Sequence, residues 1–111
     1  MRCHPRRAGA RWLQNAPEFV LDCFDSTEPG ERYTVLFGGS LRVTADQQHY
    51  VSYLSMSGAP THPQGVSMWG ELRQHEAAEY RYRCGKQRVR WLDLPEHIRN
   101  HVIARVMRGR V

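Results

Sequence analysis

Residues 94–107 carry the clearest helical stripe in the chain, with Leu94, Ile98, Val102, Ile103 and Val106 falling on one side at 3.6-residue spacing. A helix with a single apolar face is stable only against another apolar surface, so this segment obliges the rest of the chain to supply one. Asp93 reads as its N-cap, Pro95 sits in the first turn, and Glu96 lies three residues after Asp93 in the capping-box position. Arg105 and Arg108 stand near the negative end of the helix dipole. The same geometry turns His97, Asn100, His101 and Arg105 away from the core, on a polar face that is usually only solvated.

The surface for that helix is predicted to be an antiparallel sheet. Residues 17–25 alternate, with Phe19, Leu21 and Cys23 on one side and Val20, Asp22 and Phe24 on the other. Ser26 to Glu31, with Pro29-Gly30 at its centre, should turn the chain. Arg32 to Phe37 is β-branched and aromatic, the composition that suits a pleated, half-buried strand. Gly38-Gly39 is compatible with either a bulge or a tight turn before residues 41–44. After a polar stretch, His49 to Met56 restores an extended pattern and completes a meander. Residues 57–70 contain two prolines and three glycines and read as one long loop, followed by a short helix over 71–79. Tyr80 to Arg83 and Arg88 to Trp91 both alternate around Gly85-Lys86 and predict a hairpin. The fold class expected is therefore α+β: a small antiparallel sheet, meander plus hairpin, packed against a C-terminal amphipathic helix.

Composition sets the boundaries of this reading. At 111 residues, 41% of them hydrophobic, the chain suits one small globular domain. Its formal charge is +5, but Arg2, Arg6, Arg7 and Arg11 are concentrated in a stretch without acids, leaving 12 basic against 11 acidic groups over residues 13–111. Residues 1–16 thus read as a flexible basic arm and 17–111 as the domain. No run approaches the length of a membrane span and no hydrophobic leader is seen, so a cytoplasmic protein is expected. Cys3, Cys23 and Cys84 are odd in number and widely spaced, which predicts neither a disulfide framework nor a metal site, and no cofactor motif is present.

Three stretches carry a resemblance. They are Asp25 with Glu31-Arg32-Tyr33-Thr34-Val35; Ser55-Met56-Ser57 with His62-Pro63-Gln64-Gly65; and Gly85-Lys86 leading to Trp91-Leu92-Asp93-Leu94-Pro95-Glu96. In order and spacing, from about Phe19 to Val106, the chain resembles a family of small uncharacterised proteins carried by bacteriophages, plasmids and integrated elements. The resemblance implies a mobile-element accessory protein and no particular activity.

The matching residues suggest where a ligand could be met. Asp25 and Arg32 flank the first turn and can pair, while His62 and Gln64 offer an imidazole and a carboxamide from the long loop beside Ser57. Long ordered loops in compact domains are often functional. The leading expectation is a non-enzymatic module binding a protein partner through Asp25, Arg32, Ser57, His62 and Gln64. A second reading is nucleic-acid binding by Arg2, Arg6, Arg7 and Arg11 with Arg81, Arg83, Arg88 and Arg90 of the hairpin. A third is a small hydrolase or transferase centred on His62, although Ser55, Ser57 and Ser67 lack a nucleophile-elbow motif, so no catalytic residue is assigned. Pairing of an exposed sheet edge leaves room for a homodimer.

Overall fold

The computed structural model describes residues 13–26, 29–43, 49–80 and 86–108. In chain order the elements are β1 (Val20–Ser26), a 3-10 turn at Pro29–Glu31, β2 (Tyr33–Val43), β3 (His49–Met56), β4 (Ser67–Arg73), α1 (Gln74–Glu79), β5 (Lys86–Val89), a second 3-10 turn at Trp91–Asp93 and α2 (Glu96–Met107). The strands form one sheet in the order β4-β3-β2-β1-β5, and every neighbouring pair is antiparallel. The predicted α+β architecture is present.

The β-branched and aromatic run forms the sheet centre as its composition requires. Gly38-Gly39 is a bulge: β2 continues past it to Val43, and the pairing with β3 shifts between Phe37 and Arg42. Another irregularity, between Val20 and Asp22, breaks the simple alternation expected in β1. Val20 and Cys23 share one core, Phe24 lies in the other, and Leu21, expected beside Cys23, is 45% exposed.

Two cores lie on opposite faces of the sheet. On one, Cys23, Tyr33, Val35, Phe37, Leu54 and Met56 pack beneath Trp91, Leu94, Ile98 and Val102, so α2 is seated as its stripe predicts. Ile103 is the exception, at the exposed margin. On the other face Phe24, Leu36, Val51 and Leu72 pack with Tyr80 and Ala77, which places α1 and its C-terminal residue over the sheet. Phe24 and Tyr80 meet edge to face with ring centroids 4.8 Å apart.

Four expectations are corrected. The loop predicted over 57–70 ends at Val66, because residues 67–73 pair with β3 from Met56↔Ser67 to Tyr50↔Arg73 and form β4. Gly70, one of the glycines read as interrupting a strand, lies within β4 with the Tyr53 ring over it, so that a Cβ there would require the ring to shift. The helix predicted over 71–79 consequently shortens to Gln74–Glu79, started by Glu76 accepting a hydrogen bond from the Arg73 amide at 2.8 Å. Tyr80, expected in a strand, belongs instead to the end of α1, and β5 pairs with β1 through Cys23↔Val89 to Ser26↔Lys86; the rest of the expected hairpin's first strand, residues 81–83, lies outside the described residues. Finally, Asp93 does not cap α2. It closes the preceding 3-10 turn by accepting from the Arg90 amide at 2.9 Å, and Pro95 takes the cap position without a side-chain bond.

Candidate interaction surface

The loop between β3 and β4 is held by its own atoms. The Ser57 amide donates to the Val66 carbonyl at 3.0 Å, and the Val66 amide donates to Ser57 Oγ at 2.9 Å, closing the base. Above it, His62 N–H donates to the Ala59 carbonyl and Gly65 N–H to the His62 carbonyl, two successive turns. The Gln64 amide donates to His62 Nδ1 at 3.0 Å, so a ring proton belongs on the outward Nε2. Pro60 is buried, whereas Thr61, His62, Pro63 and Gln64 are exposed. Gly65 is needed for close approach, since a Cβ there would strike the Ala59 carbonyl oxygen. The result is a compact tip that displays hydroxyl, imidazole, pyrrolidine and carboxamide groups, of which the imidazole uses its Nδ1 to hold the loop.

Helix α2 braces both ends of this loop. His97 Nε2 donates to the Gly58 carbonyl at 2.7 Å. One turn later, His101 Nε2 lies 2.6 Å from Ser67 Oγ, and after another turn Arg105 Nη1 donates to Ser67 Oγ at 3.2 Å and to the Ser67 carbonyl at 3.4 Å. The Arg105 guanidinium also stands over the Trp69 ring, 5.4 Å from its centroid. Burial, followed by the positive charges of Arg105 and Arg108, lowers the pKa of His101 below its ordinary 6.5. These residues were legible as a polar face; their four-residue spacing is the sequence signal that they act together.

Asp25 and Arg32 do meet, with Arg32 Nε donating to Asp25 Oδ1 at 3.1 Å and the guanidinium 5.0 Å from the Tyr33 ring centroid. The hydrogen bond it donates to Asp25, with the charge of that carboxylate, raises the Arg32 pKa further. Tyr33 is registered with both Asp25 and Met56, so this pair and the loop occupy the same end of the sheet. Among the described residues no hydrogen bond joins the two groups: Ser57, His62 and Gln64 form one set, Asp25 and Arg32 another.

On the α1 face at this end, a cleft of about 120 Å³ is lined by Glu31, Tyr53, Ser55, Val66, Met68 and Trp69. Ser55 Oγ donates to Glu31 Oε1 at 3.5 Å, and Lys86 Nζ lies 4.0 Å from the same oxygen. The Lys86 side chain is only 8% exposed, makes no hydrogen bond through Nζ, and rests 5.5 Å from the Tyr80 ring centroid.

The arginines of the second reading divide. Arg2, Arg6, Arg7, Arg11, Arg81 and Arg83 lie outside the described residues, as do Cys3 and Cys84. Arg88 is drawn into the fold, donating from Nε to Asp22 Oδ1 at 2.8 Å, and Arg90 grips Asp93 with Nε and Nη2 at 3.1 and 2.8 Å. That bidentate bond raises the Arg90 pKa and lowers that of Asp93. Both guanidinium groups are already matched by carboxylates. Cys23 is buried, and desolvation, reinforced by Asp22, pushes its thiol far up, away from reactivity. Among the described residues no three His, Cys, Asp or Glu side chains cluster to hold a metal, and no helix is long and apolar enough to cross a membrane. No family model matches the chain, and no curated protein or solved structure is significantly similar to it.

Proposed function

We propose that this protein is an interaction module that presents the Thr61–Gln64 tip to a protein partner, acting in the cytoplasm as an accessory of a phage, plasmid or integrated element. The observation that carries the binding role is the tip itself: four consecutive exposed residues on a loop ordered by backbone bonds and braced by α2. Such preorganisation removes much of the ordering entropy that a loop otherwise loses when it binds. The Asp25–Arg32 pair at the same end of the sheet extends the surface with exchangeable charge. The mobile-element assignment rests on the ordered motifs from Arg32 through His62-Pro63-Gln64-Gly65 to Asp93-Leu94-Pro95-Glu96.

The test is the triple variant T61A/H62A/Q64A, which removes the displayed groups and leaves Gly65, Ser57 and Pro60 in place. Expected is an unchanged thermal midpoint together with loss of a protein that co-purifies with the wild-type chain. Identical sets of bound proteins for the wild-type and variant chains, both folded, would overturn the proposal.

A further inference from the structure

The geometry points to Ser67 as an activated serine nucleophile, deprotonated by His101 and assisted by Arg105, that takes an acyl group from an activated carboxylic ester. The three side chains are brought together by the docking of α2 on β4, across 34 residues of sequence. Ser67 Oγ has one proton and two acceptor sites. Arg105 Nη1, which can only donate, occupies one acceptor site at 3.2 Å, and with His101 in its Nδ1–H tautomer the hydroxyl donates its proton to Nε2 at 2.6 Å. Nucleophile and base are thus within proton-transfer reach before any ligand binds. A guanidinium beside Oγ also stabilises the negative charge that grows there as the proton leaves.

Access is provided by the position of Ser67. It is the first residue of β4, an edge strand of the sheet, and it is partly exposed. The 57/66 amide bond alternates with non-bonded positions along an antiparallel ladder, so the backbone of Ser67 faces the open edge, where Arg105 reaches its carbonyl. The groups facing the imidazole are Ser67 from β4 and Arg105 and Arg108 from its own helix, with His97 one turn away; among the described residues no carboxylate hydrogen-bonds to it. Partial burial, followed by the charges of Arg105 and Arg108, keeps His101 neutral near pH 7, with Nε2 able to accept a proton in the Nδ1–H tautomer.

The step balances without a cofactor. Ser67 Oγ attacks the ester carbonyl carbon, its proton passes to His101 Nε2, and the tetrahedral oxyanion collapses with cleavage of the C–O bond to the leaving group. The leaving alkoxide takes the proton from His101 if it needs one; otherwise the proton passes to water. The product is O-acyl-Ser67. Residues of the Thr61–Gln64 tip take no part in this chemistry.

The experiment exposes the full chain to p-nitrophenyl acetate and, separately, to an alkyl fluorophosphonate, and locates adducts by intact mass and peptide mapping. Ser52 and Ser57, partly exposed like Ser67, are internal controls in the same molecule. Expected is a single adduct on Ser67, formed at a rate that rises with pH through a transition below 6.5 and then levels near neutrality. H101Q should slow it by roughly 100-fold, in the range ascribed to a positioned general base. Imidazole added to H101A should restore part of the rate, a response that a merely structural histidine does not give. Folded wild-type protein that remains unmodified, or modifies its serines indiscriminately, overturns the proposal. So does a labelling rate that is equal in H101Q and the wild-type chain. Should the variants unfold, the site selectivity and pH profile of the wild-type chain decide alone.

Discussion

Asp22 and Arg88 show how one residue's role depends on where its neighbour lands. Alternation assigns Arg88 to a wet face, but the pairing of β5 with β1 places it opposite Phe24 and against Asp22, whose carboxylate also accepts from the Cys23 amide at 3.1 Å. With side chains only 16% and 7% exposed, the pair is largely removed from water. Losing one partner of such a pair strands the other charge, an effect of about 3–5 kcal/mol for buried pairs and less here because Arg88 retains some solvent. Arg88→Met is therefore expected to lower the urea midpoint markedly, whereas D22N/R88M, which removes both charges, should recover part of the loss. A double-mutant cycle by urea denaturation checks this, and additive losses would show that the two side chains are not energetically linked.

Helix α2 does two jobs with two faces. Leu94, Ile98 and Val102 anchor it in the core, while the His97–His101–Arg105 row holds the ends of the β3–β4 loop. The second job makes loop bracing sensitive to pH. Because the folded-state pKa of His101 lies below 6.5, the unfolded chain takes up that proton first as pH falls. The stabilisation is fully present above about pH 6.5, is lost as pH drops through that value toward the folded pKa, and is constant below it. Urea midpoints measured from pH 8 to 5 should fall more steeply for the wild-type chain than for H101Q, the difference isolating His101 from the other histidines. Parallel profiles would contradict the assignment.

At the scale of the whole molecule the sheet is a shared partition between two cores, and α2 covers the larger one. Ile98 is fully buried there together with Val35, Phe37, Leu54 and Val102. Ile98→Asp places a carboxylate where no partner waits, and the combined loss of apolar burial and gain of a buried charge exceeds about 4 kcal/mol, a large share of the stability of a domain this size. Expected is a cooperative loss of folded signal at 25 °C by near-ultraviolet circular dichroism. Retention of the native spectrum would show that α2 is not required to hold the sheet. Because the bracing of the loop at Gly58 and the Ser67 cluster both depend on the same docking, each should be lost in this variant.

Local pattern was sufficient for β2, β3 and the apolar stripe of α2, since their side-chain periodicity reports directly which face is buried. It also marked His62, Gln64 and Ser57 as members of an ordered loop, because prolines and glycines at that density leave few other conformations. Pairing partners were decided by tertiary structure. β4 exists because β3 offers a ladder, with the Tyr53 ring lying over Gly70, not because Ser67 to Arg73 alternate. Asp93 exchanged the role of helix cap for a bidentate bond to Arg90, a competition between nearby donors that spacing alone leaves open. The meeting of Ser67, His101 and Arg105 likewise required α2 to come down on β4. A single sequence records the periodicity of each element, but which elements share an edge depends on burying both faces of the sheet at once, and that is a property of the assembled chain.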